Sequence, residues 1–183
     1  MNDIRRASTT KPAPTLTGAQ LVTELDALGV HFLQGGSDTS AAGKVDPVTL
    51  LAALAASDEA RLRLALIPLL LQRPDFAAHA SLVVQRLPAP ARIVFKCYYT
   101  AALLLQKKHM SHLEALLGKR NPLPDLFSAE LDVLALHNPE AGLQALAKRQ
   151  SMLSGKSINW LGTYEHAARR FLIHLERKKS WKA

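Results

Sequence analysis

Apolar residues return every three or four positions along most of the chain, which is the spacing of helices that pack one face on a core. Segment 91–109 is apolar nearly all round, apart from a polar stripe of Lys96, Thr100 and Lys107. Segment 158–179 instead has a single apolar face, which consists of Leu161, Tyr164, Ala168, Phe171, Leu172 and Leu175. The pattern predicts a central buried helix at 91–109 and a one-sided helix at 158–179.

Capping residues and prolines divide the rest of the chain into further helices. Thr17 with Gln20 is a capping box, Asp46 before Pro47 is an N-cap, and Ser111 with Glu114 begins a short helix. Pro68 lies inside a predicted helix, where its ring and missing N–H kink or break the helix. The predicted helices cover residues 18–28, 47–56, 58–72, 74–87, 91–109, 111–118, 126–136, 139–153 and 158–179.

This pattern predicts an all-α fold, a compact multi-helix bundle of eight to ten helices. Composition agrees, since 33 Leu and 28 Ala stand against 13 Val plus Ile, a bias towards helix formers. The chain is short enough for one domain. We expect a disordered basic leader at residues 1–16, which contains Pro12 and Pro14, and a single helical domain at 17–183.

A short helical solenoid is the alternative fold. Residues 51–60 and 131–141 both give a helix, a polar cap and the start of a second helix. Segment 46–74 also resembles a HEAT-type repeat, in which paired helices stack on one another. The resemblance covers under a sixth of the chain, and there is no clear third copy.

We expect no membrane-spanning or export segment. Its longest apolar run, residues 64–71, is far shorter than the roughly 20 residues that cross a bilayer. The amino terminus lacks the apolar core of a signal peptide, and Cys97 is the only cysteine. We therefore expect a cytoplasmic protein with no membrane association, although Arg5, Arg6 and nearby hydroxyl residues also match an organelle transit peptide.

The net charge of +8 is distributed in alternating blocks. Residues 92–120 and 166–183 each carry +5, whereas residues 121–147 carry −4 and no Lys or Arg. Basic segments favour a polyanionic partner such as nucleic acid. The acidic block fits a solvated surface, or a surface that docks on basic residues of a partner protein or a second copy.

The last helix carries a row of basic and hydrogen-bonding side chains opposite its apolar face. On an ideal helix the first four lie within about 80° of one another. We call this row the basic ridge: His166, Arg170, His174, Arg177, Lys178, Lys179 and Lys182. It predicts binding to a phosphate backbone, with Trp181 placed to stack on a base. The simpler alternative is a solvated outer face.

Arg169 and His174 are separated by four residues. This spacing resembles that of HEPN-type helical ribonucleases and would imply metal-independent RNA cleavage at a dimer interface. In that alternative, His174 acts as the general acid or base and Arg169 stabilises the charge at phosphorus. The two side chains point about 140° apart on an ideal helix, so both reach one phosphate only with a bent helix or a second subunit.

Other reactive residues have simpler interpretations. His109 and His112 have metal-ligand spacing, but a helix start between them and the lack of further ligands favour two surface histidines. Cys97 is expected to be a buried apolar residue. Residues 155–160 precede a helix and offer a weak anion site, which a turn plugged by Trp160 explains better. No metal and no cofactor are expected.

The sequence contains none of the standard enzyme motifs. Our leading hypothesis is a non-enzymatic helical interaction protein, associated with nucleic acid or with a partner that acts on it. Its interface would combine the basic ridge with residues 96–120. The alternatives are the HEPN-like ribonuclease and a protein-binding adaptor, which includes a homo-oligomer that pairs the acidic block with the basic ridge.

Overall fold

A computed structural model describes residues 16–31, 45–134 and 137–181. Within these ranges the chain forms nine α-helices, one 3₁₀ helix at Pro74–His79 and no strand, so the all-α prediction is confirmed. The α-helices are α1 (Gly18–Ala27), α2 (Pro47–Ala56), α3 (Ala60–Leu64), α4 (Leu66–Gln72), α5 (Ala80–Arg86), α6 (Ala89–Lys108), α7 (Met110–Leu117), α8 (Pro139–Ser154) and α9 (Trp160–Ser180).

The predicted caps of the first two helices are present. Thr17 and Gln20 form a reciprocal capping box at α1, with N···O distances of 2.8 and 3.3 Å. The Asp46 carboxylate accepts from the Thr49 N–H at the start of α2, where Pro47 is the first helical residue. These bonds satisfy N–H groups that a helix start leaves without a partner.

Pro68 divides a predicted helix in two, as expected. The proline lies in the first turn of α4, and the chain breaks between α3 and α4 at Ala65. Its ring and missing N–H prevent an unbroken helix through Leu64. Residues 74–87, predicted as one helix, likewise begin as the 3₁₀ helix and continue as α5.

Helix α6 is the centre of the fold. It packs against α2, α4, α8 and α9, and every residue from Phe95 to Gln106 is buried. Its buried polar groups hold the segment after α7: the Tyr99 hydroxyl donates to the Pro124 carbonyl, and Gln106 bonds both Asn121 O and Leu123 N. In a solenoid each repeat contacts only its neighbours. The packing therefore supports the compact bundle.

The predicted helix at 126–136 is wrong over its described residues, 126–134. The Asp125 carboxylate accepts from the Ser128 N–H and hydroxyl, which begins a single turn. Asp132 then adopts a left-handed φ of 55°, and the Val133 N–H donates to the Ser128 carbonyl at 2.9 Å. The bond between Val133 and Ser128 ends the turn, and Leu131 and Val133 are both buried.

The start of α7 also differs from the prediction. Ser111 does not cap it, because the helix begins at Met110, and His109 (φ −109°) ends α6 and begins α7. The backbone hydrogen bonds continue through this corner, from His109 N to Leu105 O and from Leu113 N to His109 O. His109 and His112 thus belong to one hydrogen-bonded corner.

Two predicted regions lie wholly or largely outside the described residues. Of the leader at 1–16, only Leu16 is described, and the connection between the helices predicted at 18–28 and 47–56 falls mostly within 32–44. Along the described residues, no helix combines the length and apolar content that a membrane crossing requires.

Candidate functional site

Helix α9 presents its polar side chains outward, as its sequence pattern predicts. The Asn159 side chain caps the helix by accepting from the Gly162 N–H at 2.9 Å. The predicted inner face is buried from Tyr164 to Leu175, whereas Leu161 is half-buried. Of the basic ridge, His166, Arg170, Arg177, Lys178 and Lys179 are exposed, and Lys182 lies outside the described residues.

His174 is the ridge residue that packs most against the rest of the protein. Its ring lies 5.0 Å from that of His31, just after α1, and His31 pairs with Asp26 at 3.3 Å. Burial lowers the pKa of His174, and the nearby His31, Lys178 and Arg177 lower it further. His174 is therefore mainly neutral at pH 7, and this neutral ring extends the ridge towards α1.

The carboxyl end of α9 forms an open cleft of about 340 Å³. Its lining is His174, Arg177, Lys178 and Trp181, and we call it the tryptophan cleft. The side chain of Trp181 is 91% exposed, whereas Trp160, at the other end of the same helix, is buried. A tryptophan that contributes nothing to the core therefore stands beside two exposed cations.

Lys179 turns away from the tryptophan cleft and donates to the Ala115 carbonyl of α7 at 2.9 Å. This bond lies on a second face of α9, which packs against the α6–α7 corner. A smaller cleft of about 280 Å³ opens there. We call it the histidine cleft, and its lining residues are Lys108, His109, His112, Glu165, Arg169, Leu172, Ile173 and Glu176.

The structure regroups the residues of the proposed ribonuclease pair. Arg169 lines the histidine cleft and His174 lines the tryptophan cleft, so within one chain they face different sides of α9. Arg169 instead shares a cleft with His109 and His112. Arg169, which the sequence suggested as part of a ribonuclease pair, thus lines the same cleft as the two histidines that have metal-ligand spacing.

Ion pairs order the histidine cleft. The Lys108 ammonium contacts Glu165 at 2.7 Å and Glu140 at 3.6 Å, and His112 Nε2 lies 2.9 Å from a Glu176 oxygen. Burial lowers the pKa of the half-buried His109, although the Glu165 carboxylate acts in the opposite direction. Within the described ranges no group of three or more His, Cys, Asp or Glu side chains is arranged to hold a metal ion.

The predicted contribution of residues 96–120 to a binding surface is reduced by internal bonds. Lys96 is only 8% exposed and pairs with Glu130, and Arg120 donates to the Gln72 and Leu117 carbonyls. These cations hold elements of the fold together. Among the described residues, segment 92–120 therefore has two exposed cations, Lys107 and Lys119, whereas segment 166–183 has five.

The acidic block is also largely satisfied within the chain. Glu130 pairs with Lys96, Asp132 with Arg149 at 3.1 Å, and Glu140 with Lys108. Asp125 accepts from Ser128. Carboxylates with these partners are less available to the basic ridge of a second copy than the sequence suggested.

Two further candidates have structural roles. Cys97 is fully buried, and burial raises the pKa of its thiol to about 12, so it stays protonated and unreactive. At residues 155–160, Gly155 ends α8 with a left-handed φ of 64°, and Asn159 already caps α9. Trp160 is buried there, as a plugged turn requires.

Sequence reasoning did not identify His31 and Asp26 beside His174, or Glu165 and Glu176 beside the two histidines. His31 and His174 are brought together only by tertiary packing, for which a single sequence gives no signal. For the second group a weak signal exists, since Glu165, Arg169 and Glu176 follow a helical stripe at the edge of the apolar face.

No family model, curated protein or solved structure matches this chain. The chemistry of the two clefts is therefore the basis on which function is inferred.

Proposed function

We propose that this protein binds single-stranded nucleic acid through the tryptophan cleft at the carboxyl end of α9. The observation that carries the proposal is Trp181, which is 91% exposed beside Arg177 and Lys178. Proteins that bind single strands combine aromatic side chains, on which bases stack, with cations that follow the phosphates. The tryptophan cleft contains both.

The surroundings of the cleft favour a polyanion. His166 and Arg170 extend the ridge along the exposed side of α9, and segment 166–183 carries a net charge of +5. Phosphate binding releases counterions, so affinity should fall steeply as salt is raised. An indole stacks on any base, and broad sequence tolerance is therefore expected.

The direct test is a fluorescence-anisotropy titration of labelled single-stranded RNA, single-stranded DNA and duplex DNA at low and at physiological salt. Trp181→Ala removes the stacking surface and should weaken single-strand binding by about 5- to 150-fold, equivalent to about 1–3 kcal/mol per stacked base. Arg177→Glu and Lys178→Glu should also weaken binding and reduce its dependence on salt.

Lys148→Glu is the matched control, because Lys148 is an exposed cation on α8, outside both clefts. It makes the same change in net charge and should leave affinity within about twofold if binding is local. Equal losses of affinity in Lys148→Glu and Lys178→Glu would show that the protein attracts nucleic acid by its net charge and has no local site in the tryptophan cleft. No binding by the wild-type chain at low salt would reject it.

A protein-binding role is the second candidate. Met152, Leu153 and Ile158 leave apolar surface exposed around the turn between α8 and α9, with exposed fractions of 59%, 36% and 46%. Exposed apolar groups that cluster are typical of protein interfaces. Light scattering of the wild type and of Met152→Lys tests self-association, which the substitution should weaken if this surface pairs two copies.

A further inference from the structure

The histidine cleft is the second place on α9 where reactive side chains converge. Two imidazoles from the α6–α7 corner face one guanidinium from α9 across a space of about 280 Å³. Leu172 and Ile173 form the apolar part of the wall. The group is assembled from two elements that are far apart in the sequence, and none of its polar members belongs to the buried core.

Among the described residues, Arg169 is the cation of the cleft without an ion-pair partner, although three carboxylates lie at the neighbouring Lys108 and His112 contacts. Lys108 is neutralised by Glu165 and Glu140, and Glu176 is engaged by His112. Among the described residues, the exposed Arg169 forms no ion pair and no side-chain hydrogen bond. A guanidinium in this position can bind a phosphate with two parallel hydrogen bonds.

The two histidines have different surroundings, which suit different steps of proton transfer. Glu176 contacts His112 at Nε2, which leaves Nδ1 as the nitrogen that can exchange a proton with a ligand. His109 is half-buried, and its pKa is lowered mainly by burial, so it is neutral near pH 7 and can accept a proton. One acid and one base beside a phosphate-binding cation are the components of metal-independent phosphodiester cleavage.

We propose that the histidine cleft cleaves single-stranded RNA by transesterification, with His109 as the base, His112 as the acid and Arg169 on the phosphate. His109 takes the proton of a ribose 2′-hydroxyl, and O2′ forms a bond to phosphorus while the bond from phosphorus to O5′ breaks. His112 gives a proton to O5′. The products are a 2′,3′-cyclic phosphate and a 5′-hydroxyl end, and no co-reactant is consumed.

This inference rests on the proposed function, because the tryptophan cleft supplies the grip on the strand. Arg169 and Trp181 are 12 residues apart on α9, a distance of about 18 Å along the axis. A strand of a few nucleotides reaches from one to the other around the helix. The inference replaces His174 of the sequence-based pair with the histidines that share a cleft with Arg169.

The test incubates an excess of full-length protein with end-labelled single-stranded RNA in EDTA and separates the products on a gel. We expect RNA cleavage with cyclic phosphate ends, whereas DNA of the same sequence, which lacks the 2′-hydroxyl, is bound and left intact. His112→Gln, His109→Gln and Arg169→Gln should each slow cleavage by about 10²- to 10⁴-fold, the usual contribution of such groups. The anisotropy-derived Kd of the two histidine variants should stay within about twofold of the wild type, whereas Arg169→Gln also removes a phosphate contact and should weaken binding.

His137→Gln is the matched control, because His137 is exposed and lines neither cleft. It should cleave at the wild-type rate, and thermal unfolding of each variant establishes that the fold is retained.

Glu176 is a positioning residue. Without this contact the His112 ring is no longer held in place, so Glu176→Gln should slow cleavage of bound RNA at saturating protein while its Kd stays within about twofold of the wild type. The other charges that face this pair are Lys108, Glu165, Glu140 and Arg169.

Each other outcome has a definite meaning. Wild-type protein that binds RNA without cleaving it rejects the inference and leaves the proposed function intact. Equal cleavage by all variants identifies a contaminating nuclease and also rejects the inference. Loss of cleavage in His174→Gln but not in His112→Gln would assign the reaction to Arg169 and His174 of two subunits. No binding of any strand rejects the proposed function and this inference together.

Discussion

The two longest helices, α6 and α9, are nearly equal in length at 20 and 21 residues but differ in how they use polar side chains. Polar groups of α6 turn inward: Lys96 pairs with Glu130, and Gln106 bonds the chain at Asn121 and Leu123. Helix α9 buries one stripe and places its cations on two outward faces, one at each cleft.

The comparison shows that a basic residue indicates function only when the fold leaves it outside. Segments 92–120 and 166–183 carry the same net charge of +5, yet the first contains internal cations and the second is mostly exposed. Buried charges must find partners, whereas exposed ones remain available to a ligand. Substitutions in the two helices should therefore separate stability from binding.

The largest effect on stability is expected for Phe95→Ala in α6. Phe95 is fully buried, with its ring centroid 6.2 Å from those of Tyr99 and Phe127. The cavity should cost about 3–5 kcal/mol in the free energy of unfolding. Urea denaturation measures it, with Phe95→Leu as a milder control. A cost below about 1 kcal/mol would contradict the central role of α6.

Tyr164→Phe tests whether the inner stripe of α9 is as structural as α6. The buried Tyr164 hydroxyl donates to the buried Gln150 side-chain oxygen, which would lose its partner. The expected cost is about 1–3 kcal/mol with no change in nucleic-acid affinity. Tyr98→Phe is the control, because the Tyr98 hydroxyl has no hydrogen-bond partner among the described residues. Equal costs in both variants would show that the Tyr164 hydrogen bond contributes nothing.

The smallest effect is expected from acidification, which acts on His109, at the carboxyl end of α6, and on His174, within α9. The pKa values of His109 and His174 are lowered in the folded state, mainly by burial, so below their ordinary value of about 6.5 the unfolded chain binds more protons. The free energy of unfolding is therefore not reduced by these two histidines above about pH 6.5, and it declines as the pH falls below that value.

Urea midpoints at about pH 7.5 and about pH 5.5, a range above most carboxylate titration, measure this decline. His174→Gln and His109→Gln should each reduce the difference between the two midpoints, and the exposed His137→Gln should not. A wild-type midpoint that stays constant or rises on acidification would contradict the argument.

Helix caps and breaks were predictable from the sequence, because the residues that determine them lie within about one helical turn of each other. The capping box at Thr17, the cap at Asp46 and the break before Pro68 all act within four residues, and all three are present. The buried face of α9 and the divergence of Arg169 from His174 follow from helical spacing alone. What each of these side chains faces depends on distant segments.

The errors arise where tertiary contacts override a local preference. Residues 126–134 contain good helix formers, but burial of Phe127, Leu131 and Val133 together with the reversal at Asp132 is incompatible with a longer helix. In the same way, the cleft that His109 and His112 share with Arg169 and Glu176 was not predicted, because these residues lie more than 50 positions apart in the sequence. A single sequence carries no signal that residues so far apart along the chain lie close together in the fold.

The two tryptophans give the two ends of α9 different fluorescence signals. Trp160 begins the helix in a buried site and Trp181 follows its last residue in solvent, about 30 Å away along the axis. Their emission spectra should differ in wavelength, and a soluble quencher should reach Trp181 first. Intrinsic fluorescence therefore reports the core and the outer end of α9 in one experiment, without an added label.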